Sequence, residues 1–309
     1  MKKSLLSFLI LAFAGLSLYA ENEEEKYWIS NGNFSLNFAQ SHLSNWAGGG
    51  ESSLNGISKI LYKLNYEKDY TKWTNSLDLA LGYTVLGDAD PMKTDDRIEI
   101  NSMFGLNARE HLYYSLAFSF KSQFMDGFDY SNDSTTPISR AFAPAYITLG
   151  LGMDWEPSPH FQINFSPLTG RLTIVTDQRL ADQGAFGVTG ATYEEREEDG
   201  EMVSVKISDG ENTRFEMGAK MIARAQLDLA KNVNLSAKLE LFTDYLKDPQ
   251  NVDVDLQALL TMKINDWLNA NIATHLIYDH DIKIMDKDGN IGPRTQFKEV
   301  FSLGLTFAF

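Results

Sequence analysis

Apolar and polar residues alternate along most of this chain with a period of two rather than 3.6. Residues 33–38 read Asn-Phe-Ser-Leu-Asn-Phe, and from Trp73 to Val85 the odd positions are apolar with the exception of Asn75. In a β-strand, successive side chains point to opposite faces, so such a segment has one apolar and one polar face. The pattern predicts an all-β protein.

Twelve segments of this kind follow one another, most of them 10 to 15 residues long. Strands of soluble proteins are usually ~5–6 residues long, whereas a strand that crosses a bilayer needs ~9–11 residues. We therefore expect a transmembrane, antiparallel, up-and-down β-barrel of about twelve strands, formed by residues 21–309. The segments begin near Asn33, Leu54, Trp73, Arg97, Tyr114, Ala145, His160, Arg214, Val233, Val252, Leu268 and Gln296.

The connections between these segments alternate in length. Barrels of the bacterial outer membrane have an even strand number, short periplasmic turns and longer extracellular loops. The alternation therefore predicts a Gram-negative outer-membrane protein with both termini in the periplasm, and a soluble β-sandwich remains the alternative. The short connections lie near residues 67–69, 109–110, 156–158, 230–232 and 265–266, and the long ones near 41–52, 87–96, 126–143, 166–212, 247–251 and 280–294.

Aromatic residues mark the ends of the predicted strands. Trp28, Trp73, Trp155 and Trp267 lie beside the start of the barrel or a short turn. Trp and Tyr rings are amphipathic and settle at both membrane interfaces. The aromatic residues near the short turns also include Tyr66, Tyr70 and Tyr113, and those near the opposite ends are Tyr83, Phe124, Tyr146, Tyr245, Tyr278 and Phe297.

Both ends of the sequence fit export to the cell envelope. Lys2 and Lys3 precede the apolar stretch 5–16, so residues 1–20 are expected to be a secretory signal peptide. The sequence ends in Phe309, with apolar residues at alternate positions before it. This ending resembles the C-terminal signature of outer-membrane barrels, which implies that Phe309 is an assembly signal read by the barrel-assembly machinery.

Composition restricts the possible functions further. Of 309 residues, 42 are acidic and 27 basic, and the formal charge of −15 argues against nucleic acid as a partner. The absence of cysteine excludes disulfides and thiolate metal sites. Outer-membrane lipid and lipopolysaccharide are the expected surroundings.

The polar faces of the strands would line the barrel lumen. Charges of both signs alternate there, which predicts cross-strand ion pairs. Twelve strands give a narrow lumen, so these side chains form either a structural lattice of charges or a selective pore for small solutes. The predicted lumen residues are Lys59, Lys63, Asp78, Arg97, Glu99, Lys121, Arg214, Glu216, Lys220, Arg224, Lys238, Glu240, Asp253, Asp255, His275 and Lys298.

No motif points to catalysis or to a cofactor. His42 and Ser44 in the first long loop have the residue types of a lipid hydrolase, but no nucleophile motif surrounds them. Residues 286–290 faintly resemble part of a calcium loop, but Asp-Gly and Gly-Asn are also ordinary hairpin-turn residues, so the turn is favoured. We therefore expect a protein that is not an enzyme and that has no metal site.

Two segments are richer in glycine and apolar residues than plain connectors. Residues 45–50 read Asn-Trp-Ala-Gly-Gly-Gly, and residues 166–188 run from Ser-Pro-Leu-Thr-Gly to Gly-Ala-Phe-Gly-Val. Such segments fold into a barrel mouth, dock a partner, or form a core of their own. The marked positions are Trp46, Gly48, Gly49, Gly50, Pro167, Thr169, Gly170, Gly184, Phe186 and Gly187.

These two motifs resemble a family of uncharacterised outer-membrane barrel proteins of the Bacteroidota, classed as a domain of unknown function. The resemblance implies the fold and the location but no activity. From the charged lumen we expect a porin-like, narrow channel for small polar solutes, gated by the extracellular loops. A non-catalytic envelope scaffold that docks a surface protein is the alternative, and a lipid hydrolase is the third.

Overall fold

The computed structural model describes residues 27–42, 52–130, 133–198, 201–285 and 289–309. Twelve of its strands close into a barrel, and three further hairpins and a short helix lie in the loops. The strands are β1 (Trp28–Ser41), β2 (Ser53–Lys68), β3 (Thr71–Leu86), β4 (Met92–Arg109), β5 (Leu112–Ser122), β6 (Gly127–Asp129), β7 (Asp133–Ser139), β8 (Ala145–Ser158), β9 (Phe161–Ile174), β10 (Thr192–Glu198), β11 (Glu201–Ser208), β12 (Thr213–Ala230), β13 (Val233–Asp244), β14 (Asp253–Lys263), β15 (Leu268–Tyr278), β16 (Lys283–Met285), β17 (Ile291–Pro293) and β18 (Gln296–Ala308), and the helix is α1 (Gln178–Asp182).

Neighbouring strands of the barrel are antiparallel, and β1 pairs with β18 to close the wall. Around the barrel the order is β1, β18, β15, β14, β13, β12, β9, β8, β5, β4, β3, β2. The predicted closed antiparallel barrel of twelve strands is therefore confirmed. The three hairpins β6–β7, β10–β11 and β16–β17 fall in segments that the sequence pattern assigns to loops, and β4 begins at Met92 rather than near Arg97.

The outer face of the wall is apolar and the inner face polar. On β8, Leu149 and Leu151 are each 52 % exposed, whereas Thr148 and Asp154, on the opposite face, are buried. Leu303 on β18 and Phe165 on β9 are about half exposed in the same way. So large an exposed apolar surface is rare on a soluble monomer and marks contact with a partner or a membrane. Among the described residues, no helix is long and apolar enough to cross a membrane.

One end of the barrel carries the short turns, and we call it the short-turn end. Its turns comprise residues 69–70, 110–111, 159–160, 231–232 and 264–267. Asp69, His111 and Asn232 take positive φ angles there, as tight hairpin turns between twisted strands require. The turn expected at 156–158 lies at 159–160 because β8 continues to Ser158. The opposite end carries the longer connections, and we call it the long-loop end.

Two of the aromatic residues predicted to lie at the membrane interfaces, Tyr113 and Tyr146, lie inside the barrel. Tyr113 is near Lys72, whose Nζ is 5.6 Å from the centre of its ring, and Lys72 lines an interior cavity. Tyr146 lies opposite the inward-facing Lys121 in the pairing of β5 with β8, so its side chain is on the same inner face. The four tryptophans predicted at a membrane interface are between 40 and 52 % exposed, and the ring centres of Trp28 and Trp73 are 5.8 Å apart with the rings tilted by 57°.

Strand β9 contains a bulge where the sequence pattern predicts the start of a long loop. Ser166 faces inward, Pro167 and Leu168 both lie on the outer face, and Thr169 faces inward again. One residue is therefore inserted relative to both neighbouring strands, and proline is tolerated because a bulge needs no ladder N–H at that point. The Thr169 hydroxyl donates to the Ser166 carbonyl at 2.9 Å. Pro167, Thr169 and Gly170 are thus wall residues, and the prediction that they lie in an extracellular loop is wrong.

The seam between the first and last strands closes at the short-turn end. Gly32 and Phe309 exchange two backbone hydrogen bonds of 2.8 Å. Inside the seam, the Asn271 side chain donates to Asn37 at 3.0 Å, and both surround Gly304. A Cβ at Gly304 would lie within 2.7 Å of these amides, so glycine leaves the space they occupy.

Residues 175–188 fold over the long-loop end around a small apolar core of their own, and we call this segment the outer lid. Val175, Leu180, Ala181 and Val188 are almost fully buried against one another and against Ala143. Phe186 packs on this core from its edge. Of the possibilities left open by the sequence, the lid therefore forms a core of its own. Trp46 and Gly48–Gly50 lie outside the described residues.

Candidate functional site

Opposite walls of the barrel are joined through the lumen by ion pairs. Lys238 on β13 donates to Glu99 on β4 at 2.5 Å and to Glu240, its neighbour on the inner face, at 2.6 Å. Four strands separate β4 from β13 around one side of the barrel and six around the other. This contact therefore crosses the interior.

Further charged groups extend this contact into a layer. Lys121 on β5 contacts Glu240 at 3.0 Å and Asp255 on β14 at 3.3 Å. Lys220 on β12 contacts Glu240 at 3.0 Å, and His275 on β15 contacts Asp255 at 2.9 Å. Glu240 thus accepts from three lysines. We call the set the central ion layer, and it consists of Glu99, Lys121, Lys220, Lys238, Glu240, Asp255 and His275.

A second contact across the lumen lies next to this layer, towards the long-loop end. Arg97 on β4 pairs with Asp78 on β3 at 3.1 Å and donates to Gln257 on β14 at 3.3 Å. Lys298 on β18 reaches Asp95 at 3.4 Å. Lys59 shares the inner face, opposite Ala80 in the pairing of β2 with β3.

An outer ion cluster fills the lumen beneath the lid. Arg171 holds Glu216 through two hydrogen bonds of 2.5 and 2.7 Å, and it also contacts Asp253 at 2.8 Å. Arg214 contacts the same Glu216 at 2.8 Å and also pairs with Asp281. Paired guanidinium groups of this kind fix carboxylates in both direction and distance. The cluster consists of Arg171, Arg214, Glu216, Asp253 and Asp281.

The lid is tied to this cluster and to the loops beside it. A guanidinium N–H of Arg214 donates to the Gly187 carbonyl at 3.4 Å. Lys206 on β11 donates to Asp182 at the end of α1 at 2.8 Å. Hydrogen bonds from Lys206, Gln178 and the Gly210 N–H lower the pKa of Asp182 to about 2. The lid therefore lies over the long-loop end of the lumen.

The short-turn half of the lumen contains two adjoining cavities of about 290 and 460 Å³. Both are lined by Lys63, Lys72, Glu156, Gln162 and Arg224. The larger reaches the turn at residues 159–160, and its inner end is formed by Glu99 and Lys238 of the central ion layer. We call the two cavities together the vestibule. Their volumes lie at the lower end of the usual range for small-molecule sites, ~300–1,000 Å³.

The structure places the predicted lumen residues in four groups. The central ion layer takes up Glu99, Lys121, Lys220, Lys238, Glu240, Asp255 and His275. The outer ion cluster takes up Arg214, Glu216 and Asp253. Lys63 and Arg224 line the vestibule, and Lys59, Asp78, Arg97 and Lys298 lie near the second contact across the lumen.

Sequence reasoning missed Arg171, which the structure places at the centre of the outer ion cluster. Pro167 hides the continuation of β9, and the one-residue bulge reverses which positions face inward. Gln162 was also missed, although its amide donates to Asp154 at 2.9 Å and to Glu156 at 3.0 Å. The usable signal was the alternation of Arg171 and Thr173 with Leu172, which resumes after the bulge.

The residues singled out for catalysis and for metal binding lie partly outside the described ranges. Ser44 lies outside them, as do residues 286–288 of the segment that resembles a calcium loop. Within the described ranges, no three His, Asp or Glu side chains are grouped so that they could hold a metal ion.

Two family models match separate parts of the chain. One is described as a protein of unknown function (DUF3078) and matches residues 38–128. The other is described as a protein of unknown function, DUF481, and matches residues 186–307. The first match includes the motif at 45–50, whereas most of the motif at 166–188 lies outside both. A search among curated proteins finds no match.

Solved structures of similar shape are barrels with low sequence identity. The translocator domain of the autotransporter NalP from Neisseria meningitidis is 11 % identical, with 100 % of this chain and 96 % of that chain covered and a TM-score of 0.38. An outer membrane channel from Pseudomonas putida F1 is 11 % identical, with coverages of 94 and 100 % and a TM-score of 0.41. A FadL homologue from Pseudomonas aeruginosa is 9 % identical, with coverages of 91 and 89 % and a TM-score of 0.30. At such TM-scores the likeness is loose, and the fold rests on the strand pairing of this chain itself.

Proposed function

We propose that this protein is an integral outer-membrane barrel whose lumen is a gated passage for small polar solutes. The apolar outer face supports insertion in a bilayer, since strands of 11 to 18 residues are long enough to span one. The short-turn end then faces the periplasm and the long-loop end faces outward. The vestibule is the periplasmic entrance, and the central ion layer and the outer lid are the barriers.

The proposal rests on the vestibule, whose inner end is closed by side chains of a flexible type. Lys238 and Lys121 each contact two carboxylates on different strands. Long lysine side chains can exchange one carboxylate for another while the wall strands stay in place, because their stems have many rotamers. Such an exchange opens a path past the layer. A purely structural lattice of charges keeps the layer closed.

Planar-bilayer conductance of the purified protein tests the passage. We compare the unaltered chain with a variant in which residues 177–188 of the lid are replaced by a short Gly-Ser linker. This replacement leaves β9 intact, unlike any deletion that begins before Ile174. Removal of residues 195–204 from the tip of the exposed hairpin β10–β11 serves as the matched control, since it shortens a loop beside the lid by a similar length and keeps Lys206, which holds Asp182.

A passage gated by the lid gives small, intermittent currents in the unaltered chain and in the hairpin control, and larger ones in the lid variant. Absence of current from all three folded proteins overturns the proposal in favour of a structural lattice. An equal increase in both loop variants assigns no gating role to the lid.

The location and assembly of the barrel are part of the same proposal. We expect the protein to fractionate with the outer membrane, in contact with lipid and lipopolysaccharide, after removal of residues 1–20. Phe309, which is 60 % exposed at the seam, is expected to be read by the barrel-assembly machinery. A source among the Bacteroidota also stays a prediction, because neither family match names one.

Docking of another envelope protein is a second candidate function. The hairpin β10–β11 carries Tyr193, Met202 and Ile207, each more than half exposed. Apolar side chains beside several glutamates suit a protein partner with a basic surface. A photo-crosslinking residue at position 202 tests this in cells, with position 229 on the outer barrel wall as the control. Products at both positions alike, or at neither, count against docking.

A further inference from the structure

The vestibule has more positive than negative charge, in contrast to the protein as a whole. Five basic and three acidic side chains line its two cavities, while the full chain has a formal charge of −15. Field lines concentrate inside such low-dielectric clefts and raise the local concentration of oppositely charged solutes. The basic side chains are Lys63, Lys72, Lys220, Arg224 and Lys238, and the acidic ones are Asp78, Glu99 and Glu156.

The acidic side chains of the vestibule are each paired with a basic group. Glu156 pairs with Lys72. Glu99 pairs with Lys238 at 2.5 Å, and Asp78 pairs with Arg97 at 3.1 Å. These carboxylates are therefore already neutralised by cations, and Lys220 is taken up by Glu240 at 3.0 Å.

Lys63 and Arg224 are the two basic side chains left over. In the described part of the chain, neither forms a salt bridge, and both line each of the two cavities. Arg224 donates to the neutral side-chain carbonyl oxygen of Gln162 at 3.3 Å. Asp154, on the far side of that amide, is 1 % exposed and does not line the cavities. Two cations thus face the same polar space, and among the described residues neither has a carboxylate in a salt bridge with it.

Neutral polar side chains line the same space as these cations. The amides of Asn101 and Asn164 and the hydroxyls of Ser76 and Ser119 line the smaller cavity. Amide and hydroxyl groups can hydrogen-bond the hydroxyls of a sugar or a similar polyol, while a cation fixes a charged end group. The combination is suited to a molecule that has many hydroxyls and one anionic group.

We propose that the vestibule binds small polar molecules that carry a carboxylate or phosphate group, with Lys63 and Arg224 holding that group. This inference rests on the proposed passage in naming the class of solute that enters it. Binding and current are separate measurements, so the two ideas can fail independently.

Isothermal titration of the folded protein in detergent tests the binding site. The probes are glucuronate and glucose 6-phosphate, with neutral glucose and cationic glucosamine for comparison. We expect the two anions to bind at least about tenfold more tightly than glucose, and glucosamine not to bind, since a charge-assisted contact is roughly twice as strong as a neutral one. Equal affinity for glucose and glucuronate overturns the proposal.

Substitutions test whether Lys63 and Arg224 hold the anionic group. Lys63→Gln and Arg224→Gln should each weaken glucuronate binding about tenfold, and Arg224→Lys should retain most of it. Lys231→Gln is the matched control, because Lys231 is exposed at the same end of the barrel and lines neither cavity. Resistance to unfolding in unheated dodecyl sulfate shows that each variant is folded. A loss of affinity in Lys231→Gln equal to that in Arg224→Gln overturns the assignment.

Ion selectivity in a bilayer completes the test. In a potassium chloride gradient, the reversal potential of a passage lined by Lys63 and Arg224 should show that chloride is more permeant than potassium. The double variant Lys63→Gln, Arg224→Gln should lose this selectivity. Anion binding without current leaves the binding site standing and overturns the passage. Current that favours potassium, together with no anion binding, overturns the binding site and leaves the passage standing.

Discussion

Lys238 and Glu99 meet at 2.5 Å across the interior of the barrel, although their residue numbers differ by 139 and their strands lie on opposite walls. Glu99 is 3 % exposed and accepts one more hydrogen bond, from Asn101 at 3.0 Å. The contact therefore braces the two walls and at the same time places a charged pair at the inner end of the vestibule.

Removal of Lys238 should be costly because it leaves Glu99 buried without its cation. We expect Lys238→Met to lower the free energy of unfolding by ~3 kcal/mol and the double variant Lys238→Met, Glu99→Gln to recover much of the loss. Urea unfolding in lipid vesicles, followed by tryptophan fluorescence, measures both. The exposed pair of Arg196 and Glu194 is the control, and Arg196→Met should cost ~0–1 kcal/mol. Equal losses in the single and double variants would contradict the pairing.

The outer lid should unfold locally when its core is reduced. Leu180 is 2 % exposed in this core, and Leu180→Ala removes most of its contacts. The substitution should destabilise the lid by ~2–5 kcal/mol while the barrel remains folded. Limited proteolysis, with cleavage sites mapped by mass spectrometry, should show new cuts within 175–188. Ile138→Ala in β7 is the control, since Ile138 is 53 % exposed, and cuts in both variants alike would refute a lid-specific core.

The bulge in β9 depends on a glycine in the neighbouring strand. A Cβ at Gly152 would lie 2.0 Å from the Phe165 carbonyl oxygen, so Gly152→Ala forces the wall apart at this point. We expect a loss of ~1–3 kcal/mol, measured as a lower urea midpoint. Gly292→Ala provides the comparison because a Cβ at Gly292 meets nothing within 4 Å. An unchanged midpoint for Gly152→Ala would show that β8 and β9 pair differently.

The attachment of the lid should depend on pH through Asp182. Because its folded pKa, about 2, is below the ordinary value, ionised Asp182 stabilises the lid above pH ~4. This contribution declines as the pH falls from ~4 towards 2. Pepsin cleavage of the lid should therefore be slow at pH 4 and accelerate towards pH 2. Asp182→Asn should be cleaved rapidly already at pH 4, and a variant as resistant as the unaltered chain would contradict the role of Asp182.

The sequence pattern predicted the strands better than the loops. Period-two alternation extends through whole strands such as β3 and β13, because one face is apolar and the other polar along their full length. It could not show where the loops form hairpins, since β10 and β11 are exposed on both faces and have no apolar side to reveal them. It also failed at Pro167, where an inserted residue changes the parity of every later position in β9.

Local alternation thus determined, from the sequence alone, that this chain forms a closed antiparallel wall of twelve strands with an apolar outer face and a charged inner face. Only the tertiary structure decided which inner charges meet. Lys238 reaches Glu99, and Arg171 reaches Glu216, because the curvature of the barrel and the register of its strands bring distant segments together. Among the described residues, the same closure leaves Lys63 and Arg224, which line the vestibule, without a carboxylate partner, since pairing across the lumen depends on three-dimensional distance rather than on the order of residues along the chain.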